Sequence, residues 1–162
     1  IASAFSNFAE MPAQQSEILD VAKTTKLALE IFNDKNITFD APPSPTCARL
    51  DRTQLIRVVT NLVKNAVQAC AEVPNPSIKV RVFVQDERVC ITITDNGIGI
   101  PKKHADKIFE PKFTTKSSGM GLGLGMVKNI VQTYEGTIEI QSVPNKKTTF
   151  TVCFPTAPHP ES

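Results

Sequence analysis

The sequence predicts an α/β (α+β) two-layer sandwich, in which helices cover one face of a mixed β-sheet. Two pairs of segments alternate apolar and polar residues around short turns, which predicts two hairpins. Four other segments carry apolar residues at helical spacing. Because helices and strands do not alternate strictly along the chain, a doubly wound sheet is not expected.

Length and composition fit one such domain. The chain has 162 residues, of which 41% are hydrophobic, and its net charge is +2, so we expect no nucleic-acid partner. No stretch reaches the roughly 18 consecutive apolar residues that a membrane span needs. The chain opens at Ile1 without an initiator Met, and we expect a fragment of a longer protein.

The first half of the chain contributes helices and short strands. We predict helices over residues 1–11, about 16–32 and 52 to about 72, with strands over 37–39 and 46–50. Pro12 ends the first helix, and Asp51 stands directly before the third, which it is expected to cap. The second helix takes its pattern from the apolar residues Ile18, Val21, Leu27 and Ile31.

The second half contributes the two hairpins. The first joins "IKVRVFVQ" to "VCITITD" through the turn "DER", and the last joins "GTIEIQSV" to "TTFTVCF". Between them lie a segment of low regularity, residues 96–121, and a helix over 122–134 that ends at Gly136. The Pro-rich end of the chain, "PTAPHPES", is predicted to be loose.

The cysteines and histidines carry no recognisable motif. The cysteines are far apart and include no C-x-x-C, so each is interpreted as a small buried hydrophobe in a reducing compartment. The four are Cys47, Cys70, Cys90 and Cys153. His104 and His159 are isolated in polar or Pro-flanked surroundings, where a surface position is expected.

The stretch "TDNGIGIP", residues 94–101, combines a carboxylate with two glycines at the end of a predicted strand. Glycine lets the backbone approach a ligand closely, as Gly97 and Gly99 would here. The carboxylate of Asp95 can accept a hydrogen bond from an exocyclic amine such as that of adenine. An ordinary Asp-Asn-Gly turn is the alternative.

The stretch "SSGMGLGLGMVKN", residues 117–129, alternates glycines directly into a helix. Backbone N–H groups and a helix N-terminus form a natural cradle for phosphate. The spacing matches neither G-x-G-x-x-G nor the P-loop. A flexible linker is the alternative, although the residues between the glycines are more apolar than linkers usually are.

Two further stretches carry candidate ligands. In "IFEPKFTTK", residues 108–116, Phe109 and Phe113 could anchor a flap that leaves Lys116 to meet phosphate, or the loop could simply be pinned to the core. In "TNLVKNAVQA", residues 60–69, a predicted core helix carries Asn61, Asn65 and Gln68 on one face. Such amides can supply oxygen ligands to Mg²⁺ or bind phosphate, unless the stripe faces solvent.

Taken together and in this order, the four stretches resemble the motifs of the GHKL ATPase superfamily, which includes DNA gyrase, the Hsp90 chaperones, histidine kinases and the MutL repair proteins. The catalytic ATP-binding domain of bacterial sensor histidine kinases is the most similar member, in particular its nitrogen-regulation branch. "NLVKNAVQA" resembles the N box, "DNGIGI" the G1 box, "IFEPKFTTK" the F box and "GMGLGLGM" the G2 box.

The resemblance implies a Bergerat fold with a flexible ATP lid. Residues 1–12, with "FSNFAEMP", would be the end of the dimerisation and phosphoacceptor helix. Residues 13–155 would form the catalytic domain and residues 156–162 a disordered tail. The resemblance also implies a cytoplasmic domain and a homodimeric full-length protein, with the isolated fragment as a monomer and a membrane anchor left open.

The same resemblance implies ATP and Mg²⁺ as ligands and gives roles to individual residues. Asn65 would ligate the metal, Asp95 would bind the adenine amine and Thr148 would join the adenine side. Asn61 would be the catalytic position, where hydrolytic relatives carry a Glu that activates water. The other implied nucleotide-site residues are Lys64, Gly97, Gly99, Ile100, Phe109, Lys116, Gly119, Gly121, Leu122, Gly123 and Leu124.

The sequence departs from the family pattern at three places. Gln68 stands where a Lys is frequent, so either one cationic phosphate contact is missing or Lys64 or Lys116 replaces it. Lys112 replaces a common aromatic residue in the F box. The loop before Thr148 carries "NKK" in place of glycines, so a different turn is expected there.

The function implied is transfer of the γ-phosphoryl group of ATP to a histidine on a dimerisation domain, for relay to a response regulator. An amide at position 61 cannot accept a proton at neutral pH, which disfavours hydrolysis. Neither His104 nor His159 lies in a matching helix, so the acceptor is expected outside this chain. The alternatives are an anti-sigma-type protein serine kinase and a non-catalytic nucleotide-binding module.

Overall fold

The computed structural model describes residues 15–100, 107–109 and 124–158. The helix predicted over residues 1–11 lies outside these ranges. The strands are β1 (Ser16–Asp20), β2 (Ile37–Asp40), β3 (Cys47–Asp51), β4 (Ile78–Gln85), β5 (Arg88–Asp95), β6 (Thr137–Val143) and β7 (Lys147–Pro155). The helices are α1 (Val21–Leu29), α2 (Arg52–Ala69) and α3 (Leu124–Thr133).

A five-stranded mixed sheet has the order β2-β4-β5-β7-β6. The β2–β4 pair is parallel, whereas the other neighbours are antiparallel. Both predicted hairpins, β4–β5 and β6–β7, are confirmed. Alternate residues of these strands form one hydrophobic core with α1, α2 and α3, which confirms the two-layer sandwich.

The segment Ser16–Asp20 is a strand, so the prediction of a continuous helix from residue 16 is wrong. β1 pairs antiparallel with β3, a partner far along the chain that local periodicity could not reveal. The helix begins at Val21 because the Asp20 side chain accepts hydrogen bonds from the N–H groups of Ala22 (3.1 Å) and Lys23 (3.3 Å). The same carboxylate accepts a bond from Thr46 Oγ1 at 2.8 Å.

The buried face of α1 also differs from the pattern of its apolar residues. Leu27 and Ile31 are 48% and 68% exposed. In their place Thr24 and Thr25 are buried, and Thr24 satisfies its hydroxyl by donating to the Asp20 carbonyl at 3.0 Å. The buried face of α1 therefore combines Val21, Ala28 and Leu29 with the two threonines and excludes Leu27, and Ile31 lies beyond the end of the helix.

Helix α2 forms as predicted and is the longest described helix. The Asp51 side chain accepts a bond from the Gln54 N–H at 3.2 Å, which confirms the cap. Its other carboxylate oxygen accepts from the Gln15 N–H at 2.9 Å and so ties the helix start to the chain before β1. The helix ends at Ala69, a few residues before the predicted end, and presents its apolar face to the sheet.

Two of the four cysteines are joined, which corrects their interpretation as independent small hydrophobes. Cys90 of β5 and Cys153 of β7 are directly opposite each other in the ladder and form a disulfide, with their Cα atoms 4.1 Å apart. Val89 and Ile91 on either side of Cys90 point into the core, so the disulfide lies on the other face of the sheet. Cys47 and Cys70 are free and buried, as predicted.

The chain after β7 stays attached to the domain for two further residues. The Thr156 N–H donates to the Glu87 carbonyl at 3.1 Å, and the Ala157 N–H donates to the Cys47 carbonyl at 2.8 Å. The Pro-rich sequence instead predicts that both residues belong to a loose tail. None of the described helices is long and apolar enough to cross a membrane.

Candidate functional site

The loop after β5 is pressed against the last turn of α2. The Ile98 N–H donates to the carbonyl oxygen of Ala69 at 3.1 Å. A Cβ atom on Gly97 would lie 2.5 Å from that same oxygen and 2.8 Å from the Ala69 Cβ. Since no side chain fits in this gap, glycine at position 97 is required for the close approach of helix and loop.

Asp95, the last residue of β5, is a buried carboxylate between the sheet and α2. It is 3% exposed, and its Oδ1 accepts a hydrogen bond from the Gly97 N–H at 2.8 Å. Burial raises the pKa of Asp95 to about 6, although the bond from Gly97 acts in the opposite direction. At neutral pH the group is therefore mostly ionised and is a strong hydrogen-bond acceptor.

Thr148 lies beside this carboxylate on the neighbouring strand. It is directly opposite Asp95 in the β5–β7 ladder and is 1% exposed. On its other side, Thr148 Oγ1 lies 2.9 Å from Ser142 Oγ of β6. Ser142 also accepts a hydrogen bond from the Ile100 N–H at 2.9 Å, so the hydroxyl pair is joined to the loop after β5.

The β6–β7 turn closes over this loop. The Asn145 N–H donates to the Ile98 carbonyl at 2.9 Å. Gly99 has a φ of +78°, and a Cβ there would lie 3.0 Å from the Pro144 Cα. The "NKK" turn differs from a glycine turn, as expected: Asn145 has a φ of 61° and occupies the left-handed region. Asn can take this place because it tolerates that region better than most residues.

Asn96 fixes the loop from the opposite side. Its Nδ2 donates to the Asn75 carbonyl at 2.8 Å, while its Oδ1 accepts from the Ser77 N–H at 2.8 Å. The Cys70 Sγ lies 3.5 Å from the same oxygen. The amide thus ties the loop to the chain that follows α2. The sequence motifs assign no role to Asn96 or to Ser142.

One of these two residues left a signal in the sequence. Ser142 follows Ile138 and Ile140 at alternate positions, so it is a polar residue on the inward face of a strand. The bonds of Asn96 depend on a loop that only the folded chain brings near, and no pattern in the sequence indicates them.

The amides of α2 occupy different environments. Asn65 is 3% exposed, and its Nδ2 has no hydrogen-bond partner among the described residues. Asn61 is half-buried, and its Nδ2 donates to the Arg57 carbonyl one turn earlier at 2.8 Å. Gln68 is exposed. Positions 61, 65 and 69 follow one another at helical spacing, so Asn65 lies on the side of α2 where Ala69 contacts the loop.

The remaining predicted site residues are distributed as follows. Lys64 is exposed on α2, while Ile100 and Leu124 are core residues with 5% and 0% exposure. Phe109 packs against the core, and Lys128 Nζ lies 5.6 Å from its ring centroid. Outside the described residues are Lys116, Gly119, Gly121, Leu122 and Gly123.

Two open grooves lie elsewhere on the described surface. One, of about 450 Å³, is at the start of α2 beside Arg52 and Gln54. The other, of about 520 Å³, lies beside Arg49, Tyr134 and Pro158. Neither is lined by Asp95, Asn65 or Thr148, and the candidate site is therefore defined by its buried polar groups.

Comparison with known proteins identifies the family to which this fold belongs. The sequence profile of the family described as "Histidine kinase-, DNA gyrase B-, and HSP90-like ATPase" matches residues 50–158. The solved catalytic domain of histidine kinase ThkA has a TM-score of 0.78 and 28% identity, and the match covers 88% of this chain and 97% of that one. The mycobacterial sensor histidine kinase MprB has a TM-score of 0.75 and 26% identity, and the match covers 89% of this chain and 99% of that one. The chain thus belongs to this ATPase family and, within it, to the histidine kinase catalytic domains.

The curated relatives are longer proteins. Sensor histidine kinase ZraS of Escherichia coli K12 is 35% identical over 159 residues, which cover 86% of this chain and 34% of ZraS. Nitrogen regulation protein NtrY of Azorhizobium caulinodans is 33% identical over 150 residues, which cover 86% of this chain and 19% of NtrY. The chain therefore spans about a third or less of these two relatives.

The pKa of Asp95 generates a prediction about stability. The pKa of this carboxyl is 3.8 in the unfolded chain and about 6 in the folded chain. At pH values between the two, the folded state therefore binds more protons than the unfolded state. Unfolding free energy contributed by this group therefore falls as pH rises through the window. The variant Asp95→Asn keeps an oxygen for the Gly97 N–H. Its free energy of unfolding should exceed that of the wild type by about 1–2 kcal/mol at pH 7 and by little at pH 4.

Urea denaturation across this pH range is the measurement. Asp86→Asn in the exposed β4–β5 turn is the matched control and should not reproduce the pH dependence. If the difference in unfolding free energy between Asp95→Asn and the wild type were the same at pH 4 and at pH 7, burial of the charged carboxylate would not have the cost assigned to it.

Proposed function

We propose that this domain binds Mg-ATP and donates the γ-phosphoryl group to a histidine on a dimerisation domain outside this chain, for relay to a response regulator. One arrangement carries the proposal: α2 presents Asn65 on the side that meets the loop after the buried, ionised Asp95. This places an acceptor for a base and a ligand for a cation on two elements in direct contact.

Adenine is the base that the pocket chemistry favours. The ionised carboxylate of Asp95 accepts hydrogen bonds only, and adenine offers an exocyclic amine as donor. Guanine has a carbonyl oxygen at the equivalent ring position, which would face the carboxylate without a proton between them. An unpaired buried acceptor of this kind is costly, so the carboxylate selects against guanine.

The residues present also fit a magnesium ion. The Asn65 amide has a buried end with no partner among the described residues, and a rotation about its terminal torsion exchanges the oxygen and nitrogen positions. No described cluster of three or more His, Cys, Asp or Glu could hold a metal ion unaided. Mg²⁺ accepts such a site, because it takes few protein ligands and keeps phosphate oxygens and waters. When bound, it neutralises phosphate charge.

Asn61 favours transfer over hydrolysis. Its amide is held by the Arg57 carbonyl, and it has no lone pair that can accept a proton at neutral pH. A water molecule near this position would therefore attack without a general base. Such a base typically accelerates a reaction by roughly 10²–10⁴-fold. ATP binding does not depend on that base. The domain is thus suited to hold ATP until a stronger nucleophile, such as an imidazole, is presented.

Transfer to a supplied acceptor is the direct test of this function. Incubated with γ-labelled ATP, the domain alone should incorporate almost no label, whereas a purified dimerisation domain from a histidine kinase of the nitrogen-regulation branch should become labelled on histidine when the two are mixed. Efficient labelling of the domain alone would contradict the proposal. ATP binding without transfer would favour a non-catalytic module, and labelling of a serine would favour an anti-sigma-type kinase.

A second prediction concerns the metal ligand. Asn65→Ala should lower the affinity for ATP at least about tenfold in the presence of Mg²⁺, because one oxygen ligand is removed and each tenfold corresponds to about 1.4 kcal/mol. Gln132→Ala is the matched control, since Gln132 is an exposed amide on helix α3 with no role in the proposed site and should leave affinity unchanged. Calorimetry with and without Mg²⁺ measures both. Unchanged Mg²⁺-dependent affinity in Asn65→Ala would remove this residue from the metal role.

A further inference from the structure

Ser142 connects two parts of the candidate site that are far apart in sequence. It is directly opposite Thr148 in the β6–β7 ladder, and the two hydroxyl oxygens are 2.9 Å apart. The same Ser142 oxygen accepts a bond from the Ile100 N–H at 2.9 Å. It also lies 3.1 Å from the place where a Cβ on Gly99 would stand. Ser142 is therefore in contact with both the Thr148 side chain and the loop after Asp95.

The donor and acceptor capacity of these groups limits the direction of each hydrogen bond. A backbone N–H can only donate, so Ser142 uses one lone pair to accept from Ile100. The bond between the two hydroxyls then has two possible directions. If Ser142 donates to Thr148, the Thr148 proton is free for a further acceptor. If Thr148 donates, the Ser142 proton has to find an acceptor of its own.

The strand order favours the first direction. β7 lies between β5 and β6, so Thr148 has Ser142 on one side and Asp95 on the other. On the β5 side, Thr148 is directly opposite Asp95, whose carboxylate is mostly ionised at neutral pH and can only accept hydrogen bonds. A Thr148 proton that points toward β5 is thus stabilised electrostatically, and Ser142 then fills the Thr148 lone pair from the β6 side.

We propose that Ser142 is a positioning residue that fixes the Thr148 hydroxyl as a hydrogen-bond donor toward the base of the nucleotide. The proton chain runs from the Ile100 N–H to Ser142 and from Ser142 to Thr148. The pocket then presents a fixed donor beside the Asp95 acceptor. Adenine offers the complementary pair, an amine donor next to a ring-nitrogen acceptor. This inference rests on the proposed function, because it requires that a purine nucleotide binds here.

The consequence is a specificity effect that a purely structural role would not produce. Inosine triphosphate has a carbonyl in place of the adenine amine and a ring N–H donor in place of the acceptor. A fixed Thr148 donor opposes that N–H, whereas a Thr148 hydroxyl released by loss of Ser142 can rotate and accept from it. Removing the Ser142 hydroxyl should therefore weaken ATP binding and relax discrimination against inosine triphosphate.

The experiment measures the affinities of the whole domain for ATP and for inosine triphosphate in parallel. Ser142→Ala should lose about five- to tenfold in ATP affinity, the effect of one hydrogen bond, and the ratio of the two affinities should fall by a similar factor. Ser142→Thr, which keeps the hydroxyl, should restore both values. Gln141→Ala, at the neighbouring exposed position of β6, is the matched control and should change neither.

The outcomes separate this inference from the function on which it rests. Absence of ATP binding by the wild type would overturn the proposed function, and the inference with it. If the wild type binds ATP but Ser142→Ala leaves the ratio of the ATP and inosine triphosphate affinities unchanged, the positioning role alone would be overturned. Equal losses for both nucleotides are one form of that result. Should Ser142→Ala not fold, Ser142→Cys takes its place, because it supplies a weak S–H donor of similar size. The ratio of the two affinities should then fall in part, and an unchanged ratio would contradict the positioning role.

Discussion

The close approach of Gly97 to the last turn of α2 is the constraint on which the rest of the site depends. The helix and the loop meet through the bond from the Ile98 N–H to the Ala69 carbonyl, and no side chain fits at position 97. This contact fixes the distance between the two elements that carry Asp95 and Asn65. A longer distance would open the pocket to water and would weaken the pKa shift of the carboxylate and the selectivity proposed for it, since each depends on burial.

The polar groups of the site work against the stability of the free domain. A buried carboxylate with a raised pKa and a buried amide end with no described partner both cost folding free energy. They are tolerated because the surrounding apolar core is large and continuous, with buried members from β4, β5, β7 and all three described helices, and with partly buried residues of β2 and β6 packed against it. Unsatisfied groups of this kind are expected where a ligand completes the hydrogen bonding.

Support for the site comes from elements outside the four recognised motifs. The β6–β7 turn bonds to the loop through Asn145, and the chain after α2 bonds to it through Asn96. The loop after β5 is therefore held on two sides by segments distant in sequence. The disulfide between Cys90 and Cys153 joins, on the opposite face of the sheet, the two strands that carry Asp95 and Thr148.

Local patterns in the sequence predicted the features that depend on local interactions. The cap of α2 by Asp51, the two hairpins and the position of Asp95 at a strand end all follow from residues within a few positions of one another. The strand β1, the exposed side of α1, the disulfide and the bonds of Ser142 were missed, since each depends on a partner brought near only by the fold.

We propose, above all, that the buried Asp95 carboxylate accepts a hydrogen bond from the exocyclic amine of a bound adenine. Comparing the affinity of the wild type and of Asp95→Asn for ATP and for inosine triphosphate tests it most directly, because the two nucleotides differ at the group that the carboxylate faces. We expect the wild type to prefer ATP by at least about tenfold, the cost of an unpaired buried acceptor, and Asp95→Asn to lose most of that preference. Equal affinity of the wild type for both nucleotides would contradict it.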